Sequence, residues 1–235
     1  MGPLNGIKVV ELAGLGPCPA AGMILADFGA EVILIERKTA NPNAGIDLDS
    51  NKDASFFKRG KKSIALDLKN PDDVETVLKL VEQSDVLIEG FRPGITEKLG
   101  LGPEVCHQRN PKLVYGRMTG WGQTGPLAKN AGHDINYVSI TGALHYGGLP
   151  DYAPYPTPTL VGDIGGGTLP LVIGITSALL YAQNTGQGQV IDAAICDGTI
   201  YSMGLLTSIR AQGLLREEKG QDFFGAGSHW CNTYQ

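Results

Sequence analysis

Ile7-Lys8-Val9-Val10-Glu11-Leu12, Pro17-Cys18-Pro19-Ala20-Ala21-Gly22-Met23-Ile24-Leu25-Ala26-Asp27-Phe28-Gly29 and Glu31-Val32-Ile33-Leu34-Ile35-Glu36 make up the stretch whose reading decides the fold. The outer pieces are short apolar, β-branched runs, the composition of strands. The middle piece has Pro17 near its first turn and Gly29 closing it, the asymmetry expected of a helix's two ends. Working outward, the rhythm continues. Ser63 to Leu68 reads as a further strand. Pro71 to Gln83 reads as an amphipathic helix, with Val74, Val77, Leu78 and Val81 on one face and Asp72-Asp73 in its first turn. Asp85 to Glu89 and Lys112 to Met118 read as two more strands. Strands separated by helices predict a parallel sheet with helices on its faces.

Beyond this the pattern changes. Gly147 to Thr159 holds Pro150, Pro154, Pro156 and Pro158 and is expected to be an extended, irregular connection. A long apolar helix is expected from Ile164 to about Gln183, a turn at Gly186-Gln187-Gly188, a strand at Gln189 to Asp192 and a helix from Ala193 to about Gln212. The last stretch, Gly225 to Gln235, reads like the opening of a strand cut short.

Composition narrows the function classes. The net charge of −5 argues against a nucleic-acid platform, and 33 glycines without a repeat indicate tight turns and close backbone contacts. Cys18, Cys106, Cys196 and Cys231 are far apart, with no C-x-x-C pair, so neither a metal site nor a disulfide framework is expected, and a reducing, cytoplasmic setting is. The start lacks the charged head and apolar core of a signal peptide. The apolar run Leu169 to Ala182, broken by Pro170, Gly174, Thr176 and Ser177, reads as too short to insert in a membrane.

Two motifs carry chemistry. Gly132-His133-Asp134-Ile135-Asn136-Tyr137 and Val161-Gly162-Asp163-Ile164-Gly165-Gly166-Gly167 each put a proton-transfer group where a helix is expected to begin, beside glycines that permit close ligand approach. A helix start disfavours an imidazolium, which keeps His133 neutral and basic. The plainer reading is that Asp163 is an N-cap and His133 a loop residue. Gly14-Leu15-Gly16 with Glu36 mimics a dinucleotide fingerprint, but Pro19 replaces its third glycine and removes an N–H donor. Lys58-Arg59-Gly60-Lys61-Lys62, Glu36-Arg37-Lys38 and Phe91-Arg92-Pro93-Gly94 place basic groups near strand ends and together point to an anionic ligand, although the first alone reads as a solvated loop. Phe91 suits either an adenine stack or a core anchor.

Asp27-Phe28-Gly29-Ala30-Glu31-Val32, Arg59 to Lys69, Phe91-Arg92-Pro93-Gly94, Thr119-Gly120-Trp121-Gly122-Gln123-Thr124-Gly125-Pro126 and Gly186-Gln187-Gly188-Gln189-Val190-Ile191-Asp192, in this order, resemble the family III CoA-transferases of the CaiB/BaiF type. Residues 132–137 resemble the α-methylacyl-CoA racemase branch. The resemblance implies a Rossmann-like CoA-binding domain over residues 1–212. It also implies a linker with the truncated start of a smaller domain over 213–235, and an interlocked homodimer. It implies His133 and Asp163 as acid–base residues, and CoA or substrate contacts at Arg37, Ala65, Leu66, Asp67, Leu68, Arg92, Gly132, Asp134, Ile135, Asn136 and Tyr137. The expected activity is inversion of the α-carbon of 2-methylacyl-CoA thioesters, with no cofactor beyond CoA as part of the substrate. The alternatives are CoA transfer between carboxylic acids with Asp163 as nucleophile, or an inactive CoA-binding fragment. Family members continue past the position matching Gln235 with a glutamate that supports the histidine, so the chain reads as C-terminally truncated.

Overall fold

The computed structural model describes residues 2–38, 55–216, 218–219 and 228–231. Six strands, β1 (Lys8–Leu12), β2 (Glu31–Arg37), β3 (Lys61–Leu66), β4 (Val86–Glu89), β5 (Val114–Thr119) and β6 (Val190–Ala194), form one sheet in the order β3-β2-β1-β4-β5-β6. Every neighbouring pair is parallel. The α/β fold expected from the alternating pattern is the one observed. Its order is that of a doubly wound Rossmann-like sheet, whose ligand crevice lies where the winding reverses, between β1 and β4.

Side-chain alternation along each strand sorts the core into two layers. Val9, Ile88 and Val114 pack on one face with Ala21 and Leu25 of α1 (Pro17–Asp27) and with Leu171 and Ile175 of α6 (Leu169–Thr185). Val10, Leu87 and Tyr115 pack on the other with Val77, Leu78 and Val81 of α2 (Pro71–Val81) and with Cys106 of α4 (Pro103–Arg109). Each fully buried aliphatic side chain contributes about 1.5–3 kcal/mol. α2 forms where its apolar periodicity predicts, with Pro71 opening it; Asn70, which the sequence reading did not single out, caps it, its Oδ1 accepting from Asp72 N at 2.9 Å. The 310 turns at Phe56–Lys58, Ala143–Tyr146 and His229–Cys231 and the short helix α3 (Ile95–Lys98) lack periodic signals and are seen only in the structure.

Several expected boundaries move. The strand expected at Ser63 to Leu68 starts at Lys61 and ends at Leu66, because its ladder runs from Val32↔Lys61 to Arg37↔Leu66. Asp67 and Leu68 therefore lie in the turn that follows. The strand expected from Lys112 starts at Val114, and Asp85 is no strand residue; its Oδ2 accepts from Lys8 N at 2.8 Å. The helix expected from Ile164 is instead a π-helix over Leu160–Thr168 that runs directly into α6. The helix expected from Ala193 to Gln212 is two helices, α7 (Ile195–Ser202) and α8 (Gly204–Ala211), after a strand that reaches Ala194. Of the expected terminal strand, Ser228 to Cys231 are described, and they form a turn; the remainder lies outside the described residues.

The run read as too short for a membrane is part of a 26-residue helical segment, Leu160–Thr185, which meets that requirement by length and composition. Its inner face is packed on the sheet. Gly116 of β5 lets α6 close in, for a side chain there would sit 3.1 Å from both Leu171 and Ile175. Its outer face carries Ile173 and Leu180, 63% and 62% exposed.

Candidate active site

The carboxyl edge of the sheet carries the site. After β5 the chain reaches α5 (Asp134–Ile140), with His133 as its N-cap in extended conformation and Asn136 Oδ1 accepting from His133 N at 2.9 Å. Tyr137 anchors this helix. Its ring lies edge-on to Trp121, centroids 4.8 Å apart. It fills the space beside Gly120 and Gly132, where an added Cβ would come within 2.2 and 2.7 Å of the ring. Gly132 is thus a packing requirement at the point where the His133 turn begins. His133, Ile135 and Asn136 remain exposed.

Asp134 behaves differently from a surface ligand contact. It is 6% exposed, and its Oδ2 accepts from Gly162 N at 2.9 Å and Asp163 N at 2.8 Å. The residue after His133 therefore holds the turn that bears Asp163, and the two motifs meet across 28 and 29 positions of sequence. Asp163 is not the N-cap expected of it. Thr159, at φ 53°, is the N-cap, and Asp163 lies inside the first turn of the π-helix. Burial first, and then the neighbouring Asp134 carboxylate, push the Asp163 carboxyl up to about 6, while the nearby His133 pulls it down. His133 and Asp163 thus lie on turns joined through Asp134, near enough for their charges to interact. Burial and the Asp163 charge likewise raise the Tyr137 phenol to about 12, and Arg92 opposes that rise. Arg92 lies in the loop after β4, which leaves the sheet from the same edge as the segment after β5 that leads to His133.

Gly165, Gly166 and Gly167 were expected to permit ligand approach. Gly166 and Gly167 instead permit helix packing: an added Cβ at Gly166 would sit 2.2 Å from Thr199 Oγ1, and one at Gly198 would sit 1.9 Å from Gly166 O. The π-helix rests directly on α7, and Thr168 Oγ1 donates to Pro17 O at 2.9 Å at the start of α1.

The other basic loops separate in space. Lys58 to Lys62 lead into the amino end of β3, and each cation has a carboxylate: Lys58 with Glu36 and Lys61 with Glu11, both near the carboxyl ends of their strands, Arg59 with Asp27 and Lys62 with Glu31. The Lys61–Glu11 pair is almost fully enclosed at 2.6 Å. Arg37 stays exposed at the end of β2 beside Leu66, which places it with Ala65, Asp67 and Leu68 at one corner of the carboxyl edge. Asp67 N donates to Asp73 Oδ2 at 2.7 Å, and Asp73 also pairs with Lys38. Arg37 and Arg92 make no ion pair among the described residues. Phe91 packs against the core, so its core-anchor reading holds.

Two arrangements escaped the sequence reading. Arg117 of β5, 6% exposed, bonds Glu89 at 2.8 Å, Glu97 of α3 at 2.8 Å and Thr96, and Glu89 Oε2 accepts from Phe91 N at 2.7 Å. This network fixes the loop carrying Arg92; the signal was a lone arginine in an otherwise apolar strand. The second is Asp134, whose bonds to the Asp163 turn have no local sequence signature. Beside it lies a cavity of about 200 Å³ lined by Asp134, Val138, Leu144, Tyr146, Tyr155 and Val161, two of whose walls come from the proline-rich connection and the helix after it.

The fold and site together define an α/β protein with a Rossmann-like parallel sheet, the His133 and Asp163 turns meeting through Asp134 beyond its strands. The chain belongs to CoA-transferase family III, whose family model matches residues 4–234. It is 44% identical over 232 residues to the α-methylacyl-CoA racemase of Mus musculus, which covers 99% of this chain and 58% of the relative. It is 40% identical over 210 residues to succinate–glutarate CoA-transferase of Agrobacterium fabrum, covering 83% of this chain and 51% of that one. A crystal structure of a CaiB/BaiF family protein from Brucella suis superposes with a TM-score of 0.77 at 35% identity, covering 90% of this chain and 58% of that chain. The chain thus spans a little over half the length of the relatives it matches.

Proposed function

We propose that the protein inverts the α-carbon of 2-methylacyl-CoA thioesters by two-base proton transfer through an enolate. In one direction neutral His133 takes the α-proton and protonated Asp163 delivers a proton to the opposite face; in the other the roles exchange. The carrying observation is geometric: Asp134, next in the chain to His133, accepts from the Gly162 and Asp163 amides and so joins the two turns, and burial raises the Asp163 carboxyl to about 6. A group that must both give and take a proton works best with a pKa near the working pH. Backbone N–H groups in the first turn of α5 are suited to receive the enolate oxygen.

CoA phosphates would meet Arg37 and Arg92, with Ala65 to Leu68 and residues 132–137 along the arm. Four strand intervals separate β3 from β5, about 19 Å at ~4.8 Å each, a span that suits an elongated nucleotide-thiol ligand. Asp134 and Tyr137, with buried side chains, would serve that ligand through their backbone alone. The large domain would occupy residues 1–212, and a linker with the start of a smaller domain residues 213–235, in a cytoplasmic homodimer; the exposed Ile173, Leu180 and Tyr201 offer apolar surface for such an interface.

The similarity to a CoA-transferase supports a second reading, in which the ionised Asp163 carboxylate attacks the thioester carbonyl, the C–S bond breaks and CoA leaves as its thiolate, giving an acyl anhydride on Asp163. Incubation with 2-methylacyl-CoA in heavy water separates them. Deuterium at the α-carbon, lost in His133→Ala and Asp163→Ala, supports the racemase; a hydroxylamine-trapped acyl adduct on Asp163 without α-exchange refutes it.

A further inference from the structure

We infer that Asp134 is a positioning residue: its buried carboxylate clamps the Asp163 turn to the His133 turn, so that both bases address one atom. The inference rests on the acid–base reading above for its activity arm only. The first turn of a helix leaves N–H groups without intrahelical acceptors. In this π-helix the bond Ile164 N to Thr159 O, 3.1 Å, comes after Gly162 N and Asp163 N in the chain, and both of those donate to Asp134 Oδ2. The approach requires a glycine, because a Cβ at Gly162 would stand 2.7 Å from that oxygen.

One amide oxygen would satisfy both donors equally well, yet the residue is a carboxylate. Its second oxygen, Oδ1, is buried with no hydrogen-bond partner, which costs stability. A carboxylate in place of an amide therefore has a use beyond capping. It lies against Asp163, where it adds to burial in holding that carboxyl up near 6. The other titratable groups around Asp163 are on α5: His133, which opposes the effect, and Tyr137. Arg92, from the loop after β4, and Cys196, from α7, face Tyr137 in turn. Geometry and charge thus come from one side chain, and substitution can divide them.

Asp134→Asn retains an oxygen for the two N–H groups and removes the charge; Asp134→Ala removes both. The test is carboxyl-13C NMR of aspartate-labelled protein, with Asp163 assigned through Asp163→Asn, together with amide hydrogen exchange and the pH profile of α-deuteration. In Asp134→Asn the Gly162 and Asp163 amides should stay protected while the Asp163 titration midpoint falls by about one pH unit, and the acid limb of the deuteration profile should fall with it. In Asp134→Ala those amides should lose protection and α-deuteration should drop about a hundredfold at every pH, the scale of a misplaced reacting group. An unchanged Asp163 midpoint in Asp134→Asn, or intact amide protection in Asp134→Ala, overturns the inference. Wild-type protein that fails to deuterate the α-carbon overturns the racemase reading instead, and the NMR arms still decide the role of Asp134.

Discussion

Asp163→Asn should stabilise the protein increasingly as pH rises from 4 to 7. The wild-type carboxyl sits near 6 in the folded protein against an ordinary 3.8, raised by burial and by Asp134. A raised carboxyl favours the fold while it stays protonated. That stability is complete below about pH 4 and is lost as pH climbs through 6, since the unfolded chain ionises first. The gap is equivalent to about 3 kcal/mol at 1.36 kcal/mol per pH unit. Asp163 is only half-buried, so solvent screening reduces this to about 1.5 kcal/mol. Asparagine is a neutral near-isostere that does not titrate, so the variant keeps what the wild type gives up. Urea unfolding followed by tryptophan fluorescence suits the measurement, as Trp121 packs on Tyr137 within the site. The midpoint difference should grow from near zero at pH 4 to about 0.7 M at pH 7, for a slope of roughly 2 kcal/mol per molar urea. A constant difference across that range, or one that shrinks as pH rises, would refute the account of how Asp163 is tuned.

Arg92→Ala should weaken CoA binding without reducing the Asp163 titration midpoint, as read by calorimetry and NMR; equal loss of binding in His133→Ala and Asp163→Ala would contradict the division of roles. Lys61→Met removes the ammonium from the fully buried Glu11 carboxylate and should cost about 3–5 kcal/mol, with Glu11→Leu/Lys61→Met recovering most of it in thermal melts. Gly198→Ala drives a Cβ to 1.9 Å from Gly166 O, so it should destabilise by about 1–3 kcal/mol and slow α-deuteration by moving the π-helix under Asp163. Gly204→Ala, with nothing within 4 Å, should do neither and is the control.

The elements that alternate in the first half were readable because burial and backbone hydrogen bonding repeat along the chain with the period of the element itself. Val74, Val77, Leu78 and Val81 could be assigned to one helix face, and Asp72-Asp73 to its first turn, from neighbours within a few positions. The π-helix was not readable this way. Its wide turn depends on Asp134, 28 positions away, and on Gly198 receiving Gly166 from another helix. The same distance in sequence hid the fate of Lys58 to Lys62, whose carboxylates belong to α1, β1 and β2.

Sequence alone determined the parallel α/β plan and the family, because each depends on residue type and order in short stretches, and it singled out His133 and Asp163 as candidates. Tertiary structure alone decided that the two motifs adjoin, that Asp134 joins them and that Arg37 and Arg92 stay exposed and without an ion pair among the described residues, whereas Lys58 to Lys62 are paired. Those outcomes depend on strand register and helix packing, which bring together side chains whose separation in the chain carries no periodic trace.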